Sequence, residues 1–260
     1  MDELKTEQAG PESAPAPEAV PAPTIEEPIS ATAALAGVFF SPAQTFPRIV
    51  KRPLWFSLVP ILVVSVFSLV AGVLLFQRAD MKELIREKIT ENPRASELSS
   101  DQIDQQAEIS AKIAAAVTYA SPVATALFVA LLACIFWLVL LAFGESISFG
   151  GSFQATAWAF LPSVLGSLLF IVVLFVKNPS DLNLDNPIFT NPAAFFDKDA
   201  IAKPLYALLQ GLDLFKAWII ALLSFALAAA AKTKASKTAT AVVVLYAVWV
   251  LIKVGLAAIF

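Results

Sequence analysis

Histidine is absent from the 260 residues. That removes the side chain most often used as a general base near neutral pH, and the commonest metal ligand. Cysteine occurs once, as Cys134. A lone cysteine excludes an intramolecular disulfide and a thiolate zinc site, and inside an apolar run it reads as a small buried hydrophobe. Charge is scarce: Asp, Glu, Lys and Arg make up 15 %, against 58 % hydrophobic residues and a mean hydropathy of +0.75. A soluble domain of this length needs more charge to cover its surface. The net charge of -3 provides no basic footprint for nucleic acid. Paired carboxylates and nucleophile–base sets are missing too, so no catalytic, metal-binding or cofactor-binding residue is nominated and an enzyme is not expected.

What charge there is lies unevenly. Residues 1–28 hold seven acids (Asp2, Glu3, Glu7, Glu12, Glu18, Glu26, Glu27) and one base, Lys5. Residues 1–34 are rich in Ala, Pro and Glu, cannot bury enough apolar surface to offset chain entropy, and are expected to be a disordered acidic tail. Lacking a basic start followed by a short apolar stretch, they do not read as a signal peptide.

From residue 35 to 260 the chain reads as one all-α membrane domain. Five runs approach or exceed the roughly 20 residues needed to cross a bilayer core: about 54–76, 122–143, 153–176, 212–231 and 239–260. Each is expected to be helical, because backbone groups in lipid must pair internally. Only Pro60 and Pro162 hint at breaks, and Gly72, Gly166, Ser167 and Ala228 to Ala231 suit close helix packing.

The connections predict further helices. In DMKELIREKI, Met81, Leu84, Ile85 and Ile89 recur at helical spacing between charges. Ser99 or Ser100 offers an N-cap for a second amphipathic helix running toward the second span. Both read as a solvated extramembrane hairpin. The loop after the third span has three Asn-Pro pairs, at 178–179, 186–187 and 191–192, and should be ordered by turns. KPLYALLQG, with Pro204 near a helix start and Leu205, Leu208 and Leu209 on one face, is expected at the membrane surface.

Five spans put the chain ends on opposite faces. One face collects Arg48, Lys51, Arg52, Lys232, Lys234 and Lys237; the other has nine Lys and Arg, mostly in the long loop between spans 1 and 2. The raw count opposes a cytoplasmic N-terminus, but short clusters abutting helix ends weigh most in the positive-inside rule. The preferred orientation is therefore N-terminus cytoplasmic and C-terminus outside.

Ionisable groups at membrane depth cost about 2.5–3.5 kcal/mol each at a helix centre and invite a functional reading. Asp213 and Lys216 stand at the start of span 4 and Lys253 within span 5; in a predicted hairpin the two lysines lie at similar depth, with Asp213 one turn further out. Two readings stay open: an intramembrane polar cluster centred on Asp213, or lysines that snorkel to the interface above an Asp213 helix cap. Glu145 falls on the opposite face.

Before span 1 stands FFSPAQTFPRIVKRPLW. Ser41-Pro42 offers an N-cap with proline at the first helical position, and Pro47 implies a helix that is short or restarts after Thr45. Phe46, Ile49, Val50 and Leu54 form an apolar stripe. Arg48, Lys51 and Arg52 would face headgroups, with Trp55 at the interface, so the segment reads as an interfacial anchor.

Four stretches, FFSPAQTFPRIVKRPLW, SFQATAWAFLPSVLG, NPAAFF and LDLFKAWIIALLSFALAAAAKTKASKTATAVVVLYAVW, together resemble the Yip family of membrane proteins, named for interaction with Ypt/Rab GTPases, and its bacterial branch in particular. The resemblance implies a five-helix membrane domain with a cytoplasmic N-terminal region, in a bacterial cytoplasmic membrane. It makes Ser41, Pro42, Pro162, Asp213, Phe215 and Trp218 family-motif positions, while Pro47 and Ala226 depart from the pattern. It carries no catalytic motif. Eukaryotic members look like adaptors in vesicle traffic and organelle shape, so the resemblance implies a non-enzymatic adaptor or membrane-organising protein, with membrane lipids and a protein partner or a second copy as partners. The alternative is a small-solute or lipid transporter with a cavity near Asp213 and Lys253.

Overall fold

The computed structural model describes residues 28–91, 93–178, 182–183, 185–198 and 200–259. Residues 1–27 of the acidic tail expected over residues 1–34, and the proline of the Asn178-Pro179 pair, lie outside them. Every regular element among the described residues is helical. In chain order they are α1 (Ala31–Phe40), α2 (Pro42–Ile49), a 3-10 turn (Leu54–Ser57), α3 (Leu58–Arg78), α4 (Met81–Thr90), a 3-10 turn (Pro93–Glu97), α5 (Ser100–Tyr119), α6 (Ser121–Ala142), α7 (Phe149–Ala159), α8 (Ser163–Val176), a 3-10 turn (Pro192–Phe195), α9 (Lys203–Gly211), α10 (Leu214–Ala231) and α11 (Ala235–Ile259). Five segments are long and apolar enough to cross a membrane, as the sequence leads one to expect: Leu54–Arg78, Ser121–Ala142, Phe149–Val176, Leu214–Ala231 and Ala235–Ile259. Ala31 to Ala34, assigned to the tail by composition, are the first turn of α1, started by Ser30, whose hydroxyl accepts from the Ala33 N–H.

Alternation of the spans defines two faces. The tail face carries the loops at 143–148 and 232–234; the hairpin face carries α4, α5 and residues 177–213. Ion pairs respect this division. Lys237 bonds Glu145 at 2.9 Å on the tail face, while Lys88 and Lys198 bond Asp185 on the hairpin face.

α3 and α4 run antiparallel to α5 and α6 in one register. Ile61 packs with Val129, Gly72 meets Thr118, and the Arg86 guanidinium bonds Asp104 at 2.7 Å. This pairing spans 25 residues, roughly 37 Å of helix. The last turns of α5 therefore lie beside α3, with Ile113 and Val117 exposed. The second crossing, Ser121–Ala142, starts within one residue of the Pro122 expected from hydropathy. Outside it, Ser99 caps α5 in a capping box with Gln102, and Asp80 caps α4.

The third span is two helices. Trp158, Phe160, Leu161 and Pro162 form tight turns, with the Ser163 N–H on the Phe160 carbonyl at 3.0 Å, and α8 starts after Pro162. Proline supplies no N–H for the ladder, so the break sits there. Pro60 causes none, lying in the first turn of α3, where that N–H is not needed. α7 is the central helix: seven of its eleven residues are buried. Its small residues let α10 approach, with a β-carbon on Gly151 3.5 Å from Ala230, and Trp158 stacks on Phe56 at 4.9 Å.

α1 and α2 form a tight hairpin, Gly37 lying directly against Thr45. Ala34, Val38, Phe46 and Ile49 enter the same core as α10 residues Leu222 and Leu227. At its tip Phe39 packs edge-on against Trp218, 5.5 Å between centroids. Trp218 lies 13 residues before Ala231 at the end of α10, about 20 Å along the axis, so the hairpin re-enters the helical layer from the tail face. The sequence suggested a surface helix short or restarted after Thr45; α2 is the short one, running through Pro47 without a restart and ending at Ile49. Re-entrant backbone is tolerated where protein packs around it.

Candidate functional site

α11 packs along α10 and α9 but meets α6 only sparsely. Between α6, α10 and α11 lies a cavity of about 390 Å³. Phe128, Leu132 and Phe136 of α6, Ile220 and Leu223 of α10, and Leu245 of α11 form its apolar walls. Lys216, Tyr246 and Trp249 stand at the end nearer the hairpin face. A second apolar cavity, of about 380 Å³, lies between α3, α6 and the α7–α8 break. Phe128 and Phe160 line both, packed edge to face at 5.8 Å as a partition. The proline break supplies one half of that partition.

Of the three nominated residues Lys216 lines the end of the first cavity, while Asp213 and Lys253 stand beside it, next to Lys216 and Trp249, and the three are not joined as ion pairs. Asp213 is buried and is the N-cap of α10. Its Oδ1 accepts from the Lys216 backbone N–H at 3.0 Å and its Oδ2 accepts from the Thr190 hydroxyl. The Lys216 ammonium instead donates to the Gln210 carbonyl at 3.1 Å and sits 6.0 Å from the centre of the Trp249 ring. Lys253 approaches the same ring at 5.1 Å. Both ammonium groups thus gather around one indole, with cation–π attraction in place of a carboxylate.

α9 closes this end. Tyr206, Ala207 and Gly211 are buried, with Gly211 close to Val250 of α11, while Leu205 and Leu208 face outward. The Tyr246 hydroxyl donates to the Gly211 carbonyl. Tyr246, Trp249, Thr190, Phe128 and Phe160 were not singled out from sequence. Tyr246, Trp249 and Lys253 share one helix face at spacings of three and four, a signal that was legible; Thr190 belongs to a loop and carries none.

The other nominated residues are dispersed. Phe215 packs toward Gly166, just past Pro162, and Trp218 holds the tip of the re-entrant hairpin. Ser41 ends α1 through its N–H on the Gly37 carbonyl and makes no side-chain cap, contrary to expectation; Pro42 does stand at the start of α2. Of the basic segment, Arg52 lies 4.9 Å over Phe56 and its carbonyl accepts from the Gln154 amide at 3.4 Å. Trp55, largely exposed, meets Phe56 edge-on, Lys51 is exposed and Arg48 half-buried.

Among the described residues, no group of three or more Cys, Asp or Glu is arranged to hold a metal ion. Comparisons with curated proteins and with solved structures find no significant match. Comparison with protein families does: the Yip1 domain matches residues 36–259, nearly the whole described helical assembly, and the chain belongs to that family of membrane proteins.

Proposed function

We propose that the protein is a non-enzymatic organiser of its membrane that takes the hydrocarbon chain of a bilayer lipid into the cavity between α6, α10 and α11. The observation that carries this reading is the sideways gap between α6 and α11, walled by apolar side chains. An apolar void lacking partner atoms forfeits dispersion contacts, and neighbouring acyl chains restore them. The polar groups at its end lack a nucleophile–base pair, which supports binding over chemistry. Filling the cavity tests it. The wild type should retain a lipid through detergent purification, detected by native mass spectrometry, and Leu223→Trp should lose it while the protein stays monodisperse. Equal retention by both would end the reading.

The Phe128–Phe160 partition favours a second reading, a lipid or small-solute transporter in which the pair opens to join the two cavities. Flux of labelled lipid between leaflets of proteoliposomes should then rise in Phe128→Ala; flux no greater than in empty vesicles would dismiss transport.

The orientation belongs to the same proposal: N-terminus in the cytoplasm and C-terminus outside a bacterial cytoplasmic membrane. Arg48, Lys51, Arg52, Lys232 and Lys234, short clusters at helix ends on the tail face, support it. The interfacial anchor of Arg48, Lys51, Arg52 and Trp55 would hold that face to headgroups, leaving the tail to engage a protein partner or a second copy. A reporter fused after Phe260 that proved cytoplasmic would reverse the assignment.

A further inference from the structure

Resting on the lipid reading above, the geometry points to a specific occupant: an anionic phospholipid of the leaflet on the hairpin face. Its phosphate lies between the Lys216 and Lys253 ammonium groups beside Trp249, and one acyl chain runs down the cavity toward Leu223.

Charge is the first argument. Lys216 and Lys253 are half-buried at membrane depth, and among the described residues neither ammonium is joined to a carboxylate as an ion pair; both lie against the Trp249 ring. The one acid nearby, Asp213, directs its two oxygens to the Lys216 N–H and the Thr190 hydroxyl. Among the described residues the Lys216 ammonium makes one hydrogen bond, to the Gln210 carbonyl, and an ammonium has three protons to donate. The Lys253 ammonium meets the indole face. Two cations withdrawn from water beside one ring repel each other, and a shared anion removes that cost. A phosphodiester does so with charge-assisted hydrogen bonds to both.

Shape is the second. Lys216 is the third residue of α10 and Leu223 lies seven residues further along, about 10 Å down the axis. The cationic end and the apolar body are thus stacked along the membrane normal, as the head and chain of a lipid are. Tyr246 and Trp249 stand at the junction, where amphipathic rings belong. Trp249 is 45 % exposed, so the cationic end opens to the surrounding leaflet.

The test uses the full chain in nanodiscs of phosphatidylcholine doped with phosphatidylglycerol, phosphatidylcholine or free palmitate, each carrying a photoreactive diazirine on its acyl chain. Crosslinks to Leu132, Leu223 and Leu245 are quantified by mass spectrometry. Phosphatidylglycerol should label these positions about tenfold more than phosphatidylcholine, whose phosphodiester is the same but whose quaternary ammonium would add a third cation beside the two lysines. Lys216→Gln with Lys253→Gln should abolish the preference, and Lys216→Arg with Lys253→Arg should restore it. Equal labelling by the two phospholipids overturns the anionic site while leaving lateral lipid binding intact. Labelling by palmitate alone overturns the phospholipid assignment, and no labelling by any probe overturns the lipid reading itself. The wild-type comparison of probes decides the matter even where the glutamine variants do not fold.

Discussion

Gly72 of α3 and Thr118 of α5 touch so closely that a β-carbon on the glycine would stand 2.6 Å from Thr118 Cγ2. This contact lies midway along the paired helices, where it holds α5 against the first span. Gly72→Val should lower stability by about 1–3 kcal/mol through overpacking. Thr118→Ala should recover most of that loss, because it removes the colliding methyl. Thermal melting of the single and double variants in detergent checks both, and a double variant no better than Gly72→Val would show that Thr118 is not the obstacle.

The five crossings were legible because apolar length alone decides them, and the α4–α5 hairpin because charge and cap spacing do. The re-entrant hairpin was not. ATAALAGVFF has too few residues to cross a bilayer and lacks the charged face of a surface helix. Its destination is set by Trp218, almost 180 residues away. Of the site, Asp213, Lys216 and Lys253 were recognised as neighbours in depth, yet the competition for Asp213 was hidden. That competition depends on Thr190, brought in by a loop whose path no periodicity encodes. Trp249, between the lysines, was overlooked because one aromatic on an apolar span looks like any other.

Asp213 serves the helix end. Asp213→Ala should cost about 1–2 kcal/mol through the lost cap, and Asp213→Asn much less, since an asparagine oxygen still accepts from the Lys216 N–H. Combining Asp213→Ala with Lys253→Gln should give additive losses, within about 0.5 kcal/mol, because the two side chains share no contact. A larger coupling in the double-mutant cycle would mean that they act as a pair.

Asp185 ties the loop before α9 to α4. Burial pushes its carboxyl up, but the hydrogen bond and charge of Lys88, then the charge of Lys198, outweigh this and hold it below the usual carboxylate range. A depressed folded-state value stabilises the tie above the unfolded value of about 3.9. That stabilisation is lost as pH falls through the folded value. With Cys134 replaced by Ser, spin labels at Glu87 and Phe195 should report a distance that is constant near neutrality and broadens in acid. Asp185→Asn should be broad already at pH 7, and an acid-induced change of the same size in that variant would assign the effect elsewhere.

Lys232 ends α10 in the left-handed region at φ 52°, the only non-glycine residue with positive φ among those described. An L side chain is strained there by about 1–2 kcal/mol relative to glycine. Lys232→Gly should therefore raise the melting temperature, whereas Lys232→Ala, which keeps the strain, should not. Equal melting of the two variants would locate the strain outside this cap.

The α1–α2 hairpin has a consequence for the bilayer as a sheet. It places helices of ten and eight residues in the half of the membrane on the tail face, whereas the other half receives the nine residues of α9. Each helix displaces a cross-section about 10 Å wide. The two leaflets around every copy therefore surrender unequal lateral area to protein, and a patch dense in this chain carries an area mismatch that the surrounding lipid must relieve by bending or by redistributing between leaflets.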